Sequence, residues 1–245
     1  MRERIDILPT PTGPRRAAAC VAVAALVALA TTAPPPARAQ TSPPLDDVER
    51  RLVAAVDARA DAAIDLLERL VNINSGTMNF AGVRAVGDAL RAEFDRLGFQ
   101  TEWVDGAAFD RAGHLVARRR GARGPHLLLI GHLDTVFEPG SPFQRFERRG
   151  DGTATGPGVV DMKGGDVVIV EALRALAAAG VLDDLTVTVV MTGDEERSGR
   201  PLSAARAALI EAAEAADIAL AFENGDSNPA TAVIARRGST GWRLE

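Results

Sequence analysis

Residues Leu185-Thr186-Val187-Thr188-Val189-Val190-Met191 are an apolar, β-branched run, and Thr192-Gly193-Asp194-Glu195-Glu196-Arg197-Ser198-Gly199 come directly after it. A short run of this kind is a strand buried on both faces, as at the centre of a parallel sheet. Working outward, His126 to Ile130 reads as a second buried strand. Gly164 to Ala179 between them has helical character and closes at Gly180. On the other side, a helix over Leu202 to Ala216 leads to a third buried strand, Ile218 to Phe222. Strands alternating with helices predict an α/β fold, a mostly parallel or mixed sheet flanked by helices. Such sheets bind ligands in crevices at the C-terminal strand ends.

Toward the N-terminus, Val48, Leu52, Val56, Ile64, Leu67, Leu70 and Val71 fall at helical spacing, which predicts one helix from Asp46 to Val71. A second helix is expected over Gly82 to Leu97, closed by Gly98, and strands over Phe99 to Val104 and Leu115 to Arg119. Gly131 to Gly158 reads as a long loop, and Thr231 to Ala235 and Gly241 to Leu244 as strands.

The first 39 residues differ in kind. Arg15 and Arg16 precede an apolar run from Ala17 to Ala30, followed by Pro34 to Pro36 and Ala37-Arg38-Ala39. A basic start, a short apolar stretch and a small-residue cleavage pattern describe a secretory signal peptide. The run falls short of the roughly 20 residues that span a bilayer. Residues 1–39 are therefore expected to be a signal and 40–44 a linker, with 45–245 the start of a catalytic domain. The product would be periplasmic or secreted, with no stable membrane span after cleavage. The arginine pair also permits twin-arginine export. The single cysteine, Cys20, lies in the signal, so metal ligands must come from His, Asp and Glu. A formal net charge of -5, one lysine (Lys163) and 4% aromatic residues supply neither a basic field nor a stacking platform, so no nucleic-acid partner is expected.

Four clusters carry chemistry. Gly131-His132-Leu133-Asp134-Thr135-Val136 comes after one buried strand. It offers either a ligand with its orienting carboxylate or a plain polar turn. In Thr155-Gly156-Pro157-Gly158-Val159-Val160-Asp161-Met162-Lys163-Gly164-Gly165, Asp161 stands before a helix as a cap or as a metal-bridging carboxylate. The pattern of a phosphate-binding loop is absent. Three consecutive acids, Asp194 to Glu196, repel one another unless cations or solvent relieve them. Adjacent acids there suit one metal ligand and one general base. Glu223 in Phe222-Glu223-Asn224-Gly225 is either a turn acid or a last ligand. Together the four supply one histidine and several carboxylates, a donor set for zinc or a similar divalent ion.

These four motifs, in this order and spacing, resemble the zinc metallopeptidase family of glutamate carboxypeptidase, acetylornithine deacetylase, succinyl-diaminopimelate desuccinylase and aminoacylase. The resemblance runs from about Leu45 to the end and is nearest the glutamate carboxypeptidase branch. It implies two zinc ions, with cobalt or manganese as substitutes. His132 and Glu196 would be ligands, Asp161 would bridge, Glu223 would hold the second ion and Asp134 would orient His132. Glu195 would be the general base for a zinc-activated water that attacks an amide bond beside a free carboxylate, in a small peptide or an N-acyl amino acid. Family members continue into a lid domain, which carries their dimer contact, and return with a late histidine. His114, His126 and His132 are all early here, so the sequence reads as the N-terminal part of such an enzyme, without its lid and inactive alone. The competing reading is a non-catalytic fragment that binds metal or associates with itself; a full-length form could also be a homodimer.

Overall fold

The computed structural model describes residues 44–149 and 152–223. The expected strands over 231–235 and 241–244, like the expected signal segment, lie outside the described residues. Among the described residues the sheet has five strands: β1 (Gln100–Asp105), β2 (Gly113–Arg119), β3 (His126–His132), β6 (Thr186–Thr192) and β7 (Ile218–Ala221), with a separate two-stranded hairpin of β4 (Glu147–Arg148) and β5 (Ala154–Thr155). The order across the sheet is β1-β2-β6-β3-β7. β1 with β2 and β2 with β6 are antiparallel, whereas β6 with β3 and β3 with β7 are parallel. The sheet is thus mixed. The hairpin interrupts the expected long loop; two-residue strands carry no period by which sequence could announce them.

Among the described residues six α-helices accompany it: α1 (Asp47–Asp57), α2 (Ala60–Val71), α3 (Phe80–Arg96), α4 (Lys163–Ala178), α5 (Leu202–Ala205) and α6 (Ala207–Ala215). Alternation along the central strands sends side chains to two layers. Leu115, Ala117, Leu129, Val187, Val189 and Met191 pack with Leu70, Val86, Leu90, Phe94, Ile169 and Leu173 of α2, α3 and α4. Val116, Leu128 and Val190 point the other way, onto Ala208, Leu209 and Ala212 of α6.

Three expectations are corrected. The single helix over 46–71 is two, because the chain turns at Ala58 and Arg59, and Arg59 reaches across to Glu171 at 2.6 Å. The helix over 202–216 is likewise split at Arg206, whose guanidinium is drawn to Asp194 and Ser198. Among the described residues the strand at 218–221 is exposed rather than buried, since β7 is paired along one edge only, with β3, and Ile218 and Leu220 face outward. Smaller shifts have local causes. Asn79 accepts the Gly82 N–H, so α3 begins at Phe80 rather than Gly82.

Candidate metal centre

The parallel strands β3, β6 and β7 run in near register, with His132 opposite Thr192 and Ile130 opposite Ala221. The segments leaving their C-terminal ends therefore emerge at one edge of the sheet. His132 ends β3, the acidic loop comes after β6, and Glu223 stands two residues beyond β7. The turn into α4 brings Asp161 to the same edge; the Asp161–Met162 peptide is cis. Behind Asp161 the fully buried Lys163 donates to the carbonyls of Leu70 (3.1 Å) and Ile73 (2.8 Å), tying this turn to the end of α2. Burial draws the Lys163 ammonium down to about 8.

His132 is buried at the centre. Its Nδ1–H donates to the backbone carbonyl of Asp134 (3.0 Å), and the Asp134 carboxylate stands 3.5 Å from the same nitrogen. The backbone is thus the nearer orienter. That bond leaves Nε2 facing Asp161 Oδ1 at 2.9 Å and Glu223 Oε1 at 3.3 Å. Burial works against a charge on this ring, but Asp134 and Glu223 outweigh it and push the imidazole up to about 10. The surroundings call for a cation. Two sets of donor atoms lie within 4.8 Å of one another: His132 with Asp161 and Glu223, and His132 with Glu195 and Glu196. One imidazole and four carboxylates, shared through His132, fit borderline divalent ions such as zinc.

Asp134 is fully buried and does not face this space. Its carboxylate accepts from the Thr77 hydroxyl (2.7 Å) and from the backbone N–H groups of Glu195 (3.0 Å) and Glu196 (3.2 Å). It holds the acidic loop in place. The three acids of that loop are not equivalent. Asp194 is fully buried, accepting from Gly199 N (2.7 Å) and Arg206 (2.6 Å). Only Glu195 and Glu196 reach the site, Glu195 exposed and Glu196 half-buried. Burial first, then Asp161, Asp134 and Glu195, push the Glu196 carboxyl up to about 7 against the pull of His132.

Sequence reasoning missed Thr77, which gives no signal in its local context, and Asp166. The latter lies on the first turn of α4 against Gly131, where a Cβ would stand 2.4 Å from Asp166 Oδ1. Among the described residues neither Asp166 oxygen has a hydrogen-bond partner, and burial raises its carboxyl well above the ordinary range. Beside the acids opens an apolar recess walled by Val136, Phe137, Phe143 and Val160, with Asp161 and Glu196 at its margin.

Residues 128–235 match Peptidase family M20/M25/M40. Carboxypeptidase G2 of Pseudomonas sp. (strain RS-16) is 39% identical over 171 residues, which cover 69% of this chain and 40% of that protein. Succinyl-diaminopimelate desuccinylase of Acidiphilium cryptum is 37% identical over 140 residues, covering 54% and 34%. Among solved structures, human carnosine dipeptidase 1 superposes with a TM-score of 0.59 at 18% identity, over 71% of this chain and 41% of that one. The chain thus spans about 40% of the length of carboxypeptidase G2. The matched stretch contains His132, Asp134, Asp161, Glu195, Glu196 and Glu223, the residues of all four sequence motifs.

Proposed function

We propose, on the homology of residues 128–235 to peptidase family M20/M25/M40, that this chain carries the metal-binding part of a hydrolase. Its substrate would be a small peptide or N-acyl amino acid, cleaved at an amide bond beside a free carboxylate. One observation carries the reading: two carboxylate sets share His132 where three parallel strands end. His132, Asp161, Glu196 and Glu223 would hold two zinc ions, or cobalt or manganese in their place. Bound there, zinc supplies Lewis acidity toward water and toward the scissile carbonyl oxygen. Glu195 takes the proton of the attacking water on its carboxylate and passes it to the leaving amine nitrogen. Asp134, through the Glu195 and Glu196 N–H groups, fixes where that carboxylate stands. The apolar recess seats part of the substrate beside Asp161 and Glu196.

Glu195 also stands among the atoms that can hold an ion, so its role as base is open to a direct test. Calorimetric zinc titration of this chain is paired with hydrolysis of N-acyl amino acids by a full-length form, each for Glu195→Gln, Glu196→Gln and the unchanged protein. A base predicts that Glu195→Gln keeps zinc stoichiometry and affinity and lowers turnover about 10²–10⁴-fold, while Glu196→Gln weakens zinc. Loss of zinc in Glu195→Gln would make that residue a ligand instead. Residues 1–39 would serve as an export signal to the periplasm or medium. The intact mass of the exported protein tests this, since cleavage after Ala39 removes that segment.

A further inference from the structure

His114 is the second residue of β2, a strand that supplies none of the donors of the metal centre, yet its ring is buried against the start of the acidic loop. The imidazole lies flat on Phe109, with ring centroids 4.9 Å apart and planes at 18°. Its Nε2 stands 2.8 Å from the carbonyl of Ala205 in α5, and its Nδ1 stands 3.1 Å from the backbone nitrogen of Gly193. A carbonyl only accepts and a backbone N–H only donates. The two contacts therefore select one form of the ring: the proton on Nε2, a bare lone pair on Nδ1. A doubly protonated imidazole would set Nδ1–H against the Gly193 N–H.

Gly193 is the first residue after β6, and Glu195 and Glu196 lie just beyond it. Its place against β2 is tight: a Cβ there would stand 2.3 Å from the Gly113 carbonyl oxygen. Asp134 pins the loop from the front through residues 195 and 196, and Asp194 pins its far side to Gly199 and Arg206. The start of the loop is held by His114.

We propose that His114, as the neutral Nε2–H tautomer, is a positioning residue that fixes the exit of β6 and so sets Glu195 and Glu196 against His132. The role assigned to those acids rests on the hydrolase reading; the link from His114 to Gly193 does not. Burial, rather than the charged groups facing the ring, favours the neutral form. It holds the imidazole below its ordinary pKa, with Arg206 acting in the same sense, while the Ala205 carbonyl, Asp194 and the Gly113 backbone oppose it. Next to Phe109 in the chain, Asp110 stands 3.9 Å from Arg111.

Two substitutions divide the ring's contacts. In His114→Asn the amide oxygen takes the place of Nδ1 and can still accept from Gly193. In His114→Gln the amide nitrogen takes the place of Nε2 and can still donate to Ala205. Both open a space beside Phe109, so both lose stability. Three readouts are taken on the whole chain: long-range nitrogen–proton NMR of the imidazole, hydrogen exchange of the Gly193 amide, and zinc affinity by calorimetry. The unchanged protein should show the Nε2–H tautomer. His114→Gln should expose the Gly193 amide to exchange and weaken zinc about tenfold or more, the scale on which groups that orient ligands act. His114→Asn should keep both within a few-fold, whatever its melting temperature.

Equal zinc affinity and equal Gly193 exchange in the two variants, or an Nδ1–H tautomer, would overturn the assignment. A protein that binds no zinc in any form would overturn the hydrolase reading instead. The tautomer and the Gly193 amide would then decide the role of His114 alone.

Discussion

Asp134 shows how much one carboxylate can organise. Its two oxygens serve Thr77, Glu195 and Glu196, and a buried donor that loses its partner costs about 1–3 kcal/mol. Asp134→Ala is expected to lower the unfolding free energy by about 3 kcal/mol in a urea titration and to weaken zinc about 10–100-fold. A variant that unfolds earlier yet binds zinc as before would separate the loop from the site. Asp166 works in the opposite sense. Its folded-state carboxyl is raised well above the ordinary value of 3.8, so above about pH 4 the unfolded chain gains by ionising while the folded chain keeps its proton. Stability is then lost as pH rises from the unfolded value toward the folded one. Asp166→Asn removes this dependence. In metal-free protein, its melting temperature relative to the unchanged chain should climb between about pH 4 and 7. A difference that is flat with pH would show that the carboxyl does not hold its proton. Sequence could not sort these acids. Asp194, Glu195 and Glu196 look alike in a row, and only the fold gives Asp194 its Arg206 and leaves the other two facing His132.

At the scale of elements, legibility tracked burial and length. The runs 126–130 and 185–191 are long, apolar and bounded by glycine, and both are strands, each extended at its C-terminal end to His132 and Thr192. Helix interruptions left no such mark, because the apolar spacing continues across Ala58-Arg59 and the break there is held by Glu171, a partner more than a hundred residues away. The same region contains a charge hub that no local pattern discloses. Glu93 of α3 is buried and bonded to Arg69 of α2 (2.7 Å), Arg96 of its own helix (2.6 Å) and Arg174 of α4 (2.5 Å). Arg174 also pairs with Glu171. Removing one member of a buried ion pair strands the others, but Arg69 and Arg96 are more than half exposed and can return to water. Glu93→Ala is therefore expected to cost about 2 kcal/mol rather than the 3–5 kcal/mol of a fully enclosed pair. The denaturant slope should be unchanged. A loss below about 0.5 kcal/mol would reduce the hub to surface pairing.

For the whole molecule, the question is what the edge of the sheet does to stability when no ion is present. Four carboxylates converge on one imidazole, and that imidazole is pushed up to about 10 by the charge around it. Mutual repulsion of this kind is a standing cost to the fold, and a divalent ion relieves it while binding only the folded arrangement of residues from four separate segments. An ion that binds only the native state stabilises it by about 2.7 kcal/mol at a hundred times its Kd. In a domain of this size each kcal/mol moves the melting temperature by about 2–4 °C. Zinc at that excess is accordingly expected to raise the melting temperature by about 5–10 °C, and a chelator to reverse the rise. Magnesium at the same concentration should do much less, since it keeps its waters and takes oxygen rather than imidazole donors. His132 belongs to both donor sets, so His132→Ala should abolish the zinc shift, whereas Glu223→Gln, which touches one set only, should leave part of it. If His132→Ala melted with an undiminished zinc shift, the ion would be bound elsewhere, and the convergence of β3, β6 and β7 would serve packing without chemistry.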